Sequence, residues 1–260
     1  NSKRKYNKLL SYNKIELLGK EYCMSPSGLE DLFGNEISDG PNLEEGDLRR
    51  AMVIAGHPDD SDVGAGGITA KLAKAGWDVR ILVATDGSKG SSDENVNQDK
   101  LIADRKIEQN NASSVLGAKD VRFLNYVDGE LSYSRELIEK ITKEIRIFKP
   151  YAVYTHDPEA VIINNSFVSH SDHRATGLAT VDSIYPTARD RLNFPEHLKE
   201  GLETHKVREL FLWGTNDSNI EVDISDYFKT KLNALKEHKS QFDFTDEMQQ
   251  RFLERWKNDD

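Results

Sequence analysis

The chain has 260 residues, enough for one large α/β domain, and its 35 basic against 45 acidic side chains leave a formal charge of −10, a sign that repels nucleic acid and anionic lipid and disfavours both as partners. A single cysteine, Cys23, excludes an internal disulfide, and no apolar run reaches membrane-spanning length, so the expectation is a soluble, cytoplasmic protein. The first residue is Asn1 rather than Met, which points to trimming.

Residues 1–48 read as an N-terminal helical/loop arm. Leu9, Leu10, Ile15, Leu17 and Leu18 suggest a short amphipathic helix, and SPSGLEDLFGNEISDGPNLEEGD is turn and loop chemistry. From Arg49 to Asp260 one domain follows, in which apolar β-type runs alternate with segments of helical period. AMVIAG precedes ITAKLAKAG; VRILVAT precedes KLIADRKIEQNNASSVLG; VRFLNYV precedes SRELIEKITKEIRIF; YAVYTH precedes DHRATGLATVDSIY. This alternation predicts an α/β fold, a Rossmann-like three-layer αβα arrangement with a mostly parallel sheet. VRELFLWG and NIEVDI add two expected strands, and KTKLNALKEHKSQF and EMQQRFLERW two expected helices.

Such sheets bind ligands beyond the carboxyl ends of their strands, near the point where strand order reverses. Polar residues that a core would reject fall there: His57-Pro58-Asp59-Asp60 after the first strand, Thr85-Asp86-Gly87 after the second, Asp128-Gly129-Glu130 after the third, and His156-Asp157-Pro158 at the fourth. A dinucleotide fingerprint at GAGG (Gly64 to Gly67) fails, because His57 to Val63 separate it from the strand and Thr69 occupies its third glycine position. These glycines are expected to allow a tight turn and a helix start close to it.

Of seven histidines, His197, His205 and His238 fall in expected surface or helical contexts and read as ordinary polar residues, whereas His57, His156, His170 and His173 each neighbour an aspartate. His57 and Asp60 are spaced to converge on one point, and a nitrogen from His173 completes a three-ligand set for one zinc ion per chain with water in the open fourth position, the arrangement of a catalytic centre. Asp59, next to a ligand with its own carboxylate free, is the candidate general base. His170 is the candidate donor to an oxyanion. Asp172 is either a partner that holds a histidine's tautomer or a helix N-cap.

Five motifs in order, HPDDSDVGAGG, TDGSKG, ADRKIEQNNASSVLG, NYVDGELSYSRE and HSDHRATG, with HKSQF near the end, resemble the LmbE-like or PIG-L-like zinc-dependent N-acetylglucosaminyl deacetylases, most closely the diacetylchitobiose deacetylase branch. The resemblance implies that 49–260 is a catalytic deacetylase domain. It implies His57, Asp60 and His173 as metal ligands, Asp59 as base, His170 as oxyanion stabiliser and Asp172 as its orienting partner. It also implies Arg105 and Asp128 as sugar contacts, and trimers or hexamers. Without it, Arg105 and Glu108 read as a helix-surface ion pair and Asp128 as a turn residue. Asp86 supports either its loop or the sugar. Two positions depart from the family pattern: Asp62 stands where members usually carry Glu, and Ser171 where they carry Pro. In the segment Glu159 to Ser169, Val161, Ile162, Ile163 and Phe167 pack under the rim of the site or form a sugar-facing wall or a subunit contact.

The implied reaction is removal of acetate from the acetamido group of a small amino-sugar substrate, N-acetylglucosamine or a chito-oligosaccharide. The alternatives are the same hydrolysis on a glucosamine-linked thiol precursor or thiol conjugate, a non-catalytic sugar-binding relative, and a nicotinamide-dependent dehydrogenase.

Overall fold

The computed structural model describes residues 46–245, together with the backbone of 15–17 and 20–22. Strands β1 (Ile15–Leu17) and β2 (Lys20–Tyr22) pair antiparallel. The helix expected from Leu9 to Leu18 is therefore replaced by a strand over Ile15–Leu17; a helix that short is marginal on its own, and alternating Ile15-Glu16-Leu17 suits extended backbone. Leu9, Leu10 and Leu18 lie outside the described residues.

The main chain then runs through β3 (Arg50–Ala55), α1 (Asp60–Lys74), β4 (Asp78–Thr85), α2 (Gln98–Leu116), β5 (Asp120–Tyr126), α3 (Arg135–Phe148) and β6 (Ala152–His156). A hairpin of β7 (Ile162–Ile163) and β8 (Phe167–Val168) leads to α4 (Ser171–Asp182), α5 (Pro195–Lys199), β9 (Glu209–Trp213) and α6 (Phe228–Leu235). Capping follows the sequence: Asn97 accepts from the backbone N–H of Lys100 at the start of α2, Gly117 closes that helix in a left-handed conformation, and Ser134 accepts from Leu137 at the start of α3.

Five strands form a wholly parallel sheet in the order β5-β4-β3-β6-β9. Met52, Ile54, Leu82 and Val153 face Leu137, Ile141 and Ile145 of α3 on one side. Val53, Ile81 and Val83 face Ala65, Ile68 and Leu72 of α1 on the other. Cover on both faces explains why the strands are continuous apolar runs instead of alternating ones. From β3 the chain steps outward to β4 and β5, then α3 carries it back to β6 and on to β9. Strand order thus reverses between β3 and β6, opening a crevice at their carboxyl ends. His57 lies just past β3, and His156 is the last residue of β6.

Four expectations change. Helix α1 begins at Asp60, well before Ile68, so Gly64, Gly66 and Gly67 lie inside it and do not form a turn. Their role is close packing: a Cβ on Gly64 would stand 2.5 Å from Trp213 Nε1, and Gly67 lies against Ile224. NIEVDI joins no sheet, since Ile224 and Val222 pack toward α1 and the core behind it. Helix α6 stops at Leu235, because the following HKSQ residues turn away to bond with Asp62 and Glu108. Of the apolar residues named in 159–169, Val161, Ile162 and Phe167 do not pack under the rim but are exposed, Phe167 by 56%, and Ile163 is half-buried. The expected helix EMQQRFLERW lies outside the described residues.

Candidate active site

Three donors converge at the reversal point. His57 Nδ1 lies 3.0 Å from Asp60 Oδ2 and 3.1 Å from His173 Nε2, and the latter pair are 3.1 Å apart. His57 comes from the end of β3, Asp60 from the first turn of α1 and His173 from the first turn of α4, so the loops at the sheet's carboxyl edge bring together positions 116 residues apart. Ligands on a tetrahedral ion at about 2.0–2.1 Å stand about 3.3 Å from one another. The edges of the triangle therefore suit a zinc-sized cation, which His57, Asp60 and His173 would hold. Two imidazole nitrogens and one carboxylate, with no thiolate, also suit other divalent transition metals.

Carboxylates also crowd the far side of the His57 ring. The other nitrogen of His57, Nε2, faces Asp172 Oδ2 and Asp128 Oδ1, each at 3.2 Å. Burial opposes a charge on His57, but the carboxylates of Asp128, Asp172 and Asp60 overcome it and push its pKa up to about 12. Burial likewise disfavours charge on Asp60, and His173, His156 and His57 outweigh it, holding that carboxyl well below the usual range. A His57 ring that donates from Nε2 to carboxylates presents the Nδ1 lone pair inward, the usual outer support of a metal-binding imidazole.

His170 caps α4: its Nδ1 accepts the backbone N–H of Asp172 (3.2 Å), which places its proton on Nε2. Burial and nearby His57 lower its pKa, so the ring is neutral and its Nε2–H is free to donate. The carboxylate of Asp172 does not hold this ring, its Oδ1 being 3.9 Å from His170 Nδ1. It accepts instead from His57 and from Gly129 N (2.7 Å), so the role of orienting His170 passes to the backbone at position 172, and the carboxylate orients His57. The N-cap of α4 is His170, not Asp172.

Asp59 holds an unusual backbone, φ 109° and ψ −34°, and its carboxylate pairs with Arg105 Nη2 at 3.1 Å. Burial and the adjacent Asp60 raise its pKa to about 7 against the pull of Arg105, which suits a base working near neutrality. Arg105 is only 3% exposed and also donates to the carbonyls of Pro58 (2.6 Å) and Gly87 (3.0 Å). It is no helix-surface ion pair: Glu108 accepts from the N–H and hydroxyl of Ser240. Asp128 accepts from Lys89 N (3.0 Å), and Asp86 Oδ1 accepts from Ser88 N and Asp128 N, so Asp86 supports the loop. A cavity of about 340 Å³ opens above, lined by His57, Asp59, Arg105, Asp128, His170 and Gln241 among others. A larger one, about 710 Å³, lies along β9 and contains none of the converging donors.

Comparison with known proteins places this geometry. A family profile described as PIG-L, GlcNAc-PI de-N-acetylase, matches residues 52–184. A diacetylchitobiose deacetylase of Thermococcus kodakarensis is 34% identical over 75% of this chain and 71% of its own length. The chain belongs to the PIG-L family. The crystal structure of N,N'-diacetylchitobiose deacetylase from Pyrococcus horikoshii, 33% identical, superposes on 80% of this PIG-L chain and 75% of that one with a TM-score of 0.72. A conserved protein of Thermus thermophilus, 26% identical, covers 74% of this chain and 79% of its own with a TM-score of 0.60.

Several residues of this PIG-L site had no role assigned from sequence. His156 stacks on His173 with ring centres 4.1 Å apart, lies 3.5 Å from Asp60 Oδ2, and accepts from Trp213 Nε1 (3.1 Å). Its position beside an aspartate at a strand end was the only local signal. Lys89 and Gln241 line the cavity from within the TDGSKG and HKSQF motifs, where neither had been given a role. His197 and His238 are fully buried and do have carboxylate partners, Glu139 (2.6 Å) and Asp62 (2.8 Å), each remote in sequence. His205 is held by the carbonyl of Pro150 (2.7 Å).

Proposed function

We propose that this PIG-L protein is a metal-dependent hydrolase that removes the N-acetyl group from an N-acetylglucosamine-type sugar and releases acetate. The observation that carries the reading is the 3.0–3.1 Å triangle of His57, Asp60 and His173 set beside the Arg105-paired carboxylate of Asp59 and the neutral imidazole of His170. The relatives named as deacetylases give it the substrate class. Residues 49–260 are the catalytic domain on this reading, and zinc is the ion that His57, Asp60 and His173 would hold. When bound, zinc supplies a Lewis acid that polarises the amide carbonyl and makes water nucleophilic near neutral pH.

The chain's own residues do the rest. Asp59 takes a proton from the attacking water as its oxygen bonds to the carbonyl carbon. His170 donates from Nε2 to the oxygen that becomes negative in the tetrahedral adduct. As the C–N bond breaks, the carboxyl of Asp59 returns the proton to the departing nitrogen, leaving acetate and a free amine. Asp172 and Asp128 hold His57 from behind, and Arg105 keeps Asp59 aimed at the triangle. Arg105 and Asp128 also line the cavity where sugar hydroxyls would sit, with Gln241 opposite.

The test is acetate release from N-acetylglucosamine and its β-linked dimer before and after treatment with a strong chelator. Activity should vanish on metal removal and return with zinc; activity indifferent to complete metal removal refutes the reading. Asp59→Ala should keep its metal and lose turnover by about 10²–10⁴-fold. Profiling against a thiol-conjugated glucosamine amide separates the sugar deacetylase from an amidase on thiol precursors, since the triangle does not contact the remote substituent.

A further inference from the structure

The peptide group between Pro58 and Asp59 is clamped at both ends by one helix. Its carbonyl accepts from Arg105 Nη2 (2.6 Å), and its N–H donates to Gln109 Oε1 (2.7 Å). Arg105 and Gln109 are four residues apart on α2, so they stand on the same face one turn apart. The plane of this peptide sets the rotation about the N–Cα bond of Asp59, and Asp59 has a φ of 109°, a region that residues with a side chain occupy only when their surroundings enforce it. Whatever fixes this peptide therefore fixes the direction of the Asp59 carboxylate.

Half of that clamp is an amide whose orientation must itself be determined. Gln109 Nε2 donates to Asp62 Oδ2 (2.9 Å), Ser61 Oγ (3.2 Å) and Ser113 Oγ (3.1 Å). A carboxylate only accepts, so Asp62 obliges the NH₂ end of Gln109 to face it and the oxygen end to face Asp59. Asp62 is fully buried, and its Oδ2 is also bonded to His238 Nε2 at 2.8 Å, a residue equally buried and 176 positions away. Among the described residues, Asp62 Oδ1 and His238 Nδ1 have no hydrogen-bond partner. Neither side chain lines the cavity. A buried polar pair left partly unsatisfied is not an efficient way to stabilise a fold, since apolar residues of the same volume do as well or better.

We propose that Gln109, Asp62 and His238 are positioning residues for the deacetylase reaction: His238 anchors Asp62, Asp62 orients the Gln109 amide, and Gln109 holds the backbone from which Asp59 acts. This rests on the reading of Asp59 as the general base. Each link is a direct hydrogen bond, and the last residues to join are delivered by the turn that follows α6. The same turn reaches the cavity through Gln241, whose Nε2 donates to the carbonyl of Gly90 (3.0 Å).

The experiment is a double-mutant cycle on the zinc-loaded enzyme, with Gln109→Leu and Asp59→Ala made singly and together, each checked for metal content and circular dichroism. Gln109→Leu should lower kcat at least about tenfold with KM and zinc content unchanged, and should add nothing in the Asp59→Ala background, because interactions that act through a removed group disappear with it. A loss of equal size in both backgrounds, or no loss of kcat, overturns the proposal. Asp62→Asn, which removes charge without changing volume, is the second variant should Gln109→Leu fold poorly; it should lower kcat in the parent and not in Asp59→Ala, whereas Asp62→Glu keeps the charge and should retain more activity than Asp62→Asn. Equal activities of Asp62→Asn and parent also overturn it. Full turnover by Asp59→Ala alone would instead refute the base assignment itself, and with it this inference.

Discussion

Replacing Asp172 by Asn isolates the charge behind the His57 ring. Both groups that donate to this carboxylate at normal hydrogen-bond distance, His57 Nε2 (3.2 Å) and Gly129 N (2.7 Å), use the same oxygen, Oδ2. An Asn that presents its carbonyl oxygen there keeps both hydrogen bonds and the volume, so the substitution removes little besides the negative charge. Loss of an outer carboxylate behind a metal-bound histidine typically lowers metal affinity about 10–100-fold, or about 1.4–2.8 kcal/mol. Asp128 Oδ1 stands at the same 3.2 Å from Nε2 and remains in place, which puts the expectation at the lower end, near 10-fold. The assay is a zinc titration in competition with a chelator of known affinity, run on the parent, Asp172→Asn, Asp128→Asn and the double variant. The double variant should lose more than the two single losses added, because in each single variant the surviving carboxylate still holds the ring. Equal zinc affinity in the parent and the double variant would show that His57 does not act as a ligand supported from Nε2, and would refute the assignment of the triangle.

Three further outcomes follow from the same geometry. Burial and Asp60 raise the Asp59 carboxyl to about 7, and the base must be ionised to work, so kcat/KM should rise with pH through its pKa; a cation beside it pulls that pKa down, placing the acid limb of the zinc enzyme below neutrality, and a flat pH–rate profile in that range would contradict the role. Gln241→Ala should raise KM for the sugar several-fold with kcat little changed, since the carboxamide lines the cavity and lies outside the converging donors; steady-state kinetics on N-acetylglucosamine checks it. Arg146 is fully buried and donates to the carbonyls of Thr187, Ala188, Asp190, Asn193 and Phe194, so Arg146→Met should cost about 3–5 kcal/mol in urea unfolding; a loss under about 1 kcal/mol would show those carbonyls find other donors.

The order of strands and helices from β3 to β6, and the rim on which the chemistry gathers, were legible in the sequence because both are local. A buried parallel strand is a short apolar run, a helix shows its period, and polar residues just past a strand have nowhere to go but the carboxyl edge. His57, Asp60 and His173 announced themselves by this rule, each within a few residues of another ionisable group. The start of α1 was misjudged because glycine weakens a helix, and only packing against Trp213 and Ile224 makes Gly64 and Gly67 the residues that fit there. The partners of buried groups were not legible at all. Arg105 meets Asp59, Asp62 meets His238, and Glu108 meets Ser240 across separations that leave no periodicity or motif behind, so His238 looked like a helix-surface residue. Which carboxylate supports which histidine was likewise decided by the tertiary structure: Asp172 sits two residues from His170, yet its side chain points across the crevice to His57 Nε2 and the N–H of Gly129, because the fold packs α4 beside β3.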